Sequence, residues 1–293
     1  MKKFFPFIFV ILWSSAFITG KIIVDNASPF LALCIRFFVV ALGFFLFSYY
    51  LKEKLFPNRK DIFQAFVIGI FFHGIYLGGV FYSASQGYPI GITALIVSLH
   101  PVLTILLAIP FLDEKIIFRQ WIGVFFGFTG AILVIGIDFK TDFKVIGFFS
   151  SIIALIGVTV GTLWQKKISK NLSISVNNIY QALGASIFHL ILVILYEEPY
   201  INFTNEFVFA MAWQIIAVSF GAFTILMILL KVGTASKTST LFFLVPPITA
   251  LMAWFLLDEI LTKFDIIGLA MVSLGVYIAT NSIKFKKKRI YGR

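Results

Sequence analysis

Apolar runs of about 20 residues, the length a helix needs to cross a hydrocarbon core, recur from one end of this sequence to the other. They leave no stretch for a folded soluble domain. Ten such runs can be drawn, at 4–23, 30–50, 62–85, 90–111, 118–137, 145–165, 175–196, 208–231, 238–257 and 264–282. In lipid each backbone N–H and C=O must be satisfied within the protein, so runs this long and uniformly apolar read as helices. Barrel strands would alternate apolar with polar residues instead. The expected fold is therefore an all-α integral membrane protein with ten transmembrane helices. A mean hydropathy of +1.01 and only 13% charged residues agree with this reading.

A net charge of +11 in a soluble chain would suggest nucleic acid, but here the basic residues sit in the short gaps between runs. There they act on topology. With ten spans both termini share a side, which collects 19 Lys and Arg against 4 on the other, with only Arg36 inside a span. The positive-inside rule then puts both termini in the cytoplasm of a bacterial-type inner membrane and excludes nucleic acid as a partner. The tail "KFKKKRIYGR" reads as a topology anchor ahead of a site for anionic lipid. The opening "MKKFFPFIFVILWSSAF" resembles a signal peptide, yet the first segment is expected to remain, because it is part of the repeat described next. Cys34 is the sole cysteine, so neither a disulfide framework nor a cysteine metal site is expected, and no cofactor is called for.

Sliding the chain by 145 positions superimposes it on itself. Pro101 falls on Pro246, Thr104 on Thr249, and Leu112, Asp113 and Glu114 fall on Leu257, Asp258 and Glu259. Gly123 meets Gly268, Gly130 meets Gly275, Lys21 meets Lys166 and Ser28 meets Ser173. The chain thus divides into a first five-helix repeat, 1–144, and a second, 145–293. An odd number of spans per copy makes the copies enter the membrane from opposite sides. Such inverted repeats can exchange conformations, which is the basis of alternating access. The two acidic pairs each precede a new span, so they read as helix-start residues, not catalytic ones. Gly123 and Gly127 form a GxxxG, read as tight packing within each repeat and not as a dimer face.

Several stretches resemble the EamA-like ten-helix branch of the drug/metabolite transporter superfamily. "WSSAFITGK" resembles its opening pattern through Trp13, Phe17 and Lys21, and "SPFLALCIRF" its second helix through Pro29 and Arg36. The most specific stretch is "HPVLTILLAIPFLDEKIIFRQWIGVFFGFTGAILV", repeated loosely as "VPPITALMAWFLLDEILTKFDIIGLAMVSLGVYIA". Ser14, His100, Asp113, Asp258 and "SQGYPIG" depart from the family pattern. The resemblance implies helices around a central cavity lined by segments one, three, four, six, eight and nine, and the movement of small metabolites, often amino acids leaving the cell.

Polar groups in apolar spans are costly and tend to face a cavity or another helix, which singles out His73, Tyr76, His100, Gln181 and His189. His189 has few polar neighbours and reads as an interhelical contact. Trp13 is too deep for an interfacial belt, so with Phe17 it reads as cavity wall, while Trp164, followed by Lys166 and Lys167, stands as a cavity candidate or a belt residue. Arg36 lies about 10 Å of helix beyond Pro29, placing it to snorkel to the interface as an anchor or to contact an anion. Pro101 and Pro246 read as helix breaks or gates. No Walker-type segment supports ATP drive, and the absence of mid-span carboxylates leaves His73 or His100 as the groups for any proton coupling. A carrier of a small molecule, monomeric or homodimeric and in contact with membrane lipid, is expected; a membrane-embedded enzyme or a structural subunit is the alternative.

Overall fold

The computed structural model describes residues 4–88, 90–135, 145–168, 171–257 and 262–280, and the basic tail, Lys140, Lys144, Asp258 and Glu259 lie outside that set. Among the described residues the structure is helical throughout, with one isolated bridge between Ala27 and Ile201. In order the helices are α1 (Phe5–Asn26), α2 (Pro29–Tyr50), α3 (Arg59–Gly69), α4 (Tyr76–Ser85), α5 (Ile90–Val97), α6 (His100–Leu112) and α7 (Phe118–Ile135). There follow α8 (Val145–Ile168), α9 (Ile174–Tyr196), α10 (Asn205–Trp213), α11 (Phe223–Val232), α12 (Ala235–Ser239), α13 (Val245–Leu257) and α14 (Lys263–Thr280). Six continuous helical stretches among the described residues are long and apolar enough to cross a membrane: 5–26, 29–50, 59–85, 145–168, 174–196 and 205–232.

Two of those stretches contain a turn of π-helix, Ile70–Ile75 between α3 and α4 and Gln214–Ala222 between α10 and α11. The 145-residue shift lays the first within the second. Apolar periodicity does not distinguish α from π geometry over one turn, so neither was legible beforehand. A π turn re-aims the side chains that follow it and is common at functional sites.

The two proline runs are not kinked helices but interrupted ones. Ser98 and Leu99 form a turn between α5 and α6, and a 3-10 segment, Thr240–Leu244, joins α12 to α13. Pro101 and Pro246 sit at the starts of α6 and α13, where a missing N–H costs no helical bond.

The helices are apolar all round, so their faces are sorted by packing, not by polarity. On α2, Leu33, Phe37, Val40 and Phe44 are buried while Phe38, Leu42, Phe45 and Tyr49 are exposed, a stripe at helical spacing that suits lipid. The most extensive pairing joins α7 to α14. A Cβ on Gly123 would lie 2.6 Å from the Gly275 carbonyl oxygen, one on Gly275 would lie 2.6 Å from that of Gly123, and one on Gly130 would lie 2.7 Å from that of Gly268. The glycines therefore bring the two halves together across the molecule, and this corrects the expectation of packing within each repeat.

Among the described residues, the connectors that bond to one another fall into two groups. At one face Phe30 and Leu31 donate their N–H groups to Glu197 at 2.8 and 3.0 Å, and Ser28 N–H donates to the Tyr200 carbonyl at 3.1 Å. Burial pushes the Glu197 carboxyl above its usual range, against the pull of those two amides. At the other face Ser173 and Ser175 donate to Glu53, Asn171 to Asp61, and the Tyr180 hydroxyl to the Leu55 carbonyl. Lys166 there donates to the carbonyls of Leu230 and Gly233.

Glu114 belongs to this second group. Its carboxylate accepts from Ala235 N–H at 2.7 Å, from Ser236 N–H at 3.2 Å and from the Ser236 hydroxyl. It thus caps α12, a helix of the other half, where the sequence pointed to the helix directly after it. Asp113 ends α6 with a left-handed backbone, φ 51°, a conformation that glycine, asparagine and aspartate tolerate best.

Candidate functional site

A cavity with about 630 Å³ of empty space, open solvent at its mouth included, lies among α1, α2, α4, α11 and the two π turns. Helix α1 presents Trp13, Phe17 and Gly20 to it, and the first π turn with α4 presents His73, Tyr76, Val80 and Phe81. The second π turn supplies Gln214, Val218 and Ser219, and α2 supplies Arg36. At one end stands Lys21, exposed and ion-paired with Asp25 one turn along the helix.

The other end is closed by rings. Trp13 packs against Phe9 and Phe242 at 5.2 Å between centroids, against Phe72 at 6.4 Å and against Phe223 at 6.5 Å. Tilted, edge-on and stacked contacts of this kind are favourable beyond the area they bury. Trp13 also borders a second, smaller cavity of about 280 Å³, shared with Phe17, Tyr76, Ala94, Val97, Ser98, Phe242, Val245 and Pro246. This chamber adjoins both helix interruptions. Residue 101 is proline, so the Val97 carbonyl lacks the N–H four residues on; Pro246 does the same to Phe242, the residue that the 145-residue shift lays on Val97, and the Phe242 carbonyl accepts from Val245 N–H instead. The Val245 carbonyl accepts from Ser14 Oγ at 3.2 Å, and the Ser14 carbonyl accepts from Thr249 Oγ1 at 3.3 Å, which ties α1 to the start of α13.

Four of the six expected cavity residues, Trp13, Phe17, His73 and Tyr76, line the first cavity. His100 does not. It is fully buried behind Phe242, with Nδ1 3.1 Å from Thr104 Oγ1 and 3.3 Å from Thr159 Oγ1. Trp164 lies in a separate apolar groove of about 830 Å³ with Leu107, Phe111, Leu112, Val160, Leu163 and Lys167. Thus segment six contributes its tryptophan to the flank of the molecule, while segment two, outside the implied set, contributes Arg36 to the cavity. His189 packs between Phe30 and Phe37, at 6.2 and 6.1 Å.

Arg36 does not snorkel: it is 4% exposed and reaches inward. Its Nε donates to Ser219 Oγ at 3.0 Å, and its guanidinium carbon stands 5.2 Å from the Phe37 ring centre. Its repeat mate Gln181 instead donates to Gln165 Oε1 at 2.5 Å, within a buried amide cluster that includes Asn177. Gln214 and Ser219 were missed from sequence. Gln214, whose Nε2 donates to the Ala16 carbonyl at 2.8 Å and Thr19 Oγ1 at 3.0 Å, was detectable by the same rule that singled out the histidines, as an amide deep in an apolar run. Among the described residues no cluster of His, Cys, Asp and Glu could hold a metal ion.

A bundle of apolar helices, with interrupted segments beside a cavity drawn from both ends of the chain, defines a multi-pass membrane protein of transporter type. Comparison with known proteins agrees. The model of the EamA-like transporter family matches twice, over residues 3–136 and 145–281, and the chain belongs to that family. It is 31% identical over 200 residues to an "Uncharacterized transporter" of Buchnera aphidicola subsp. Schizaphis graminum (strain Sg), covering 67% of this chain and 66% of that protein. To an "Uncharacterized transporter in trpA 3'region" of Buchnera aphidicola subsp. Schlechtendalia chinensis it is 25% identical over 293 residues, 94% of each chain. A crystal structure matches with a TM-score of 0.80 over 95% of this chain and 96% of the other, at 17% identity, a likeness of fold.

Proposed function

We propose that the chain is an alternating-access carrier of a small metabolite, an amino acid or related compound, working as an exporter. In this reading ten helical segments cross the membrane as two inverted halves, 1–144 and 145–293, with both termini in the cytoplasm of a bacterial-type inner membrane. The four shorter crossings are α5 with α6, α7, α12 with α13, and α14.

One observation carries the reading: features related by the 145-residue shift also pair crosswise in space. Gly123 approaches Gly275 and Gly130 approaches Gly268, although 123 matches 268 and 130 matches 275. A pseudo-two-fold axis produces such exchanged pairs. The π turns and the proline interruptions obey the same shift. The segregation of connectors into two faces supports the alternating direction of the segments. In this reading, Glu114 latched to α12 and the rings that close the cavity beside Trp13 belong to a state open towards Lys21 and closed at the cytoplasmic side.

Proton coupling, where it operates, runs through His73, which lines the cavity; His100 is sealed behind Phe242. No catalytic chemistry is assigned to the chain. Purified protein in proteoliposomes preloaded with unlabelled amino acids should exchange them for labelled ones from outside. Absence of counterflow across a screen of amino acids, organic acids and nucleosides, with the protein folded, would leave the structural-subunit reading.

A further inference from the structure

Seventeen residues line the main cavity and none is acidic. Two are cationic. Lys21, at the mouth, is engaged by Asp25, the one ion pair among the described residues. Arg36 has no such partner. A guanidinium carries five N–H donors in a planar fork, and here only Nε is used, on the neutral Ser219. The remaining donors have no protein acceptor among the described residues, yet the group lines the cavity and is 4% exposed. Burying a charge without a counter-charge is costly, and an anchor at the membrane interface would have its head in water. A cation held in place by a neighbouring hydroxyl, with its fork unused, is organised for an anion that comes and goes.

We propose that Arg36 is the recognition point for a carboxylate on the transported molecule, and that the cargo is a small organic acid or amphipathic carboxylate with an apolar body. The proposal rests on the carrier reading above. One guanidinium matches one negative charge, and a carboxylate is the planar anion it can hold by two parallel bonds. The walls around it, Trp13, Phe17, Val80, Phe81 and Phe223, suit an aromatic or aliphatic body. A doubly charged phosphate would bring a second charge into a chamber whose other cation is already paired.

Full-length protein in detergent is titrated with three probes of similar size and different charge: phenylacetate, its planar isostere phenylacetamide, and phenethylamine. Phenylacetate is expected to bind at least about tenfold more tightly than the neutral and cationic probes. Arg36→Gln should erase the preference and Arg36→Lys keep part of it. Equal affinity for the three probes, no binding of phenylacetate, or a preference that survives Arg36→Gln overturns the proposal. Should Arg36→Gln fail to fold, the charge series on the native protein and the Arg36→Lys variant still decide. Displacement of phenylacetate by chloride or inorganic phosphate at equal concentration would reveal a plain anion site and also overturn it. In proteoliposomes, flux of the amide or amine with no selective binding of the acid sinks the anion site and leaves the carrier; selective binding with no counterflow of labelled phenylacetate sinks the carrier and leaves the site.

Discussion

Trp13, with Phe17 and Tyr76, lines both cavities. Trp13→Ala removes four ring contacts and widens the space between the chambers. Transport is expected to fall by at least about tenfold while membrane insertion is retained, since packing losses of a few kcal/mol do not decide insertion of a hydrophobic segment. Initial uptake rates, read beside the yield of membrane-extracted protein, check this; unchanged rates would remove Trp13 from the site. The two histidines separate in the same assay. Under an imposed pH gradient, His73→Gln should abolish any response of transport to pH, and His100→Gln should leave that response intact while lowering thermal stability, because it disturbs the Thr104 and Thr159 contacts. The reverse pattern would move the proton path to His100. The sequence was a fair guide to which polar residues are buried, because the cost of burying them is independent of topology. It was a poor guide to which face each one presents: in a helix apolar all round, hydrophobicity does not separate the side towards the cavity from the side towards lipid, and Arg36, Trp164 and His100 all needed the packing to be placed.

At the scale of elements, the positions of breaks were legible and their form was not. Proline at 101 and 246 announces an interruption, but whether the chain kinks, turns or winds into a 3-10 segment depends on what the freed groups meet, here the Val245 N–H, which closes a 3-10 bond on the Phe242 carbonyl. The π turns left no sequence signal, since one extra residue in a turn alters register and not composition. Glu114 shows the same limit: "LDEK" reads as a local boundary, and only the fold reveals that the carboxylate serves α12. That contact gives the third prediction. Glu114→Gln weakens the bonds to Ala235 and Ser236 and is expected to shift the conformational balance by about tenfold away from the state described here, equivalent to about 1.4 kcal/mol. With Cys34→Ser as a cysteine-free background, Ala84→Cys on the cavity wall should react more slowly with a membrane-impermeant maleimide from the Lys21 side when Glu114→Gln is present. An unchanged labelling rate would mean that Glu114 caps a helix without holding a gate.

For the whole molecule, the repeat was the most informative thing in the sequence, because a shared offset constrains both halves at once; what it could not supply was which helices meet. The glycines of α7 and α14 illustrate this, having been assigned to packing inside each half when they join the halves. Gly130→Val and Gly275→Val, repeat mates, should cost similar stability, on the order of 2 kcal/mol each, as overpacked contacts do. Thermal unfolding in detergent checks it, and a large disparity between the two would count against the two-fold seam. That seam also sets how the molecule can move. Where backbone rests on backbone there are no rotamers to exchange, so on the carrier reading α7 and α14 are expected to hold together as a stator. Motion is then expected in the elements whose contacts can be remade, the interrupted helices and the carboxylate-capped ends around them. A cross-link between α7 and α14 should therefore leave turnover untouched, whereas one between α6 and α12 should stop it.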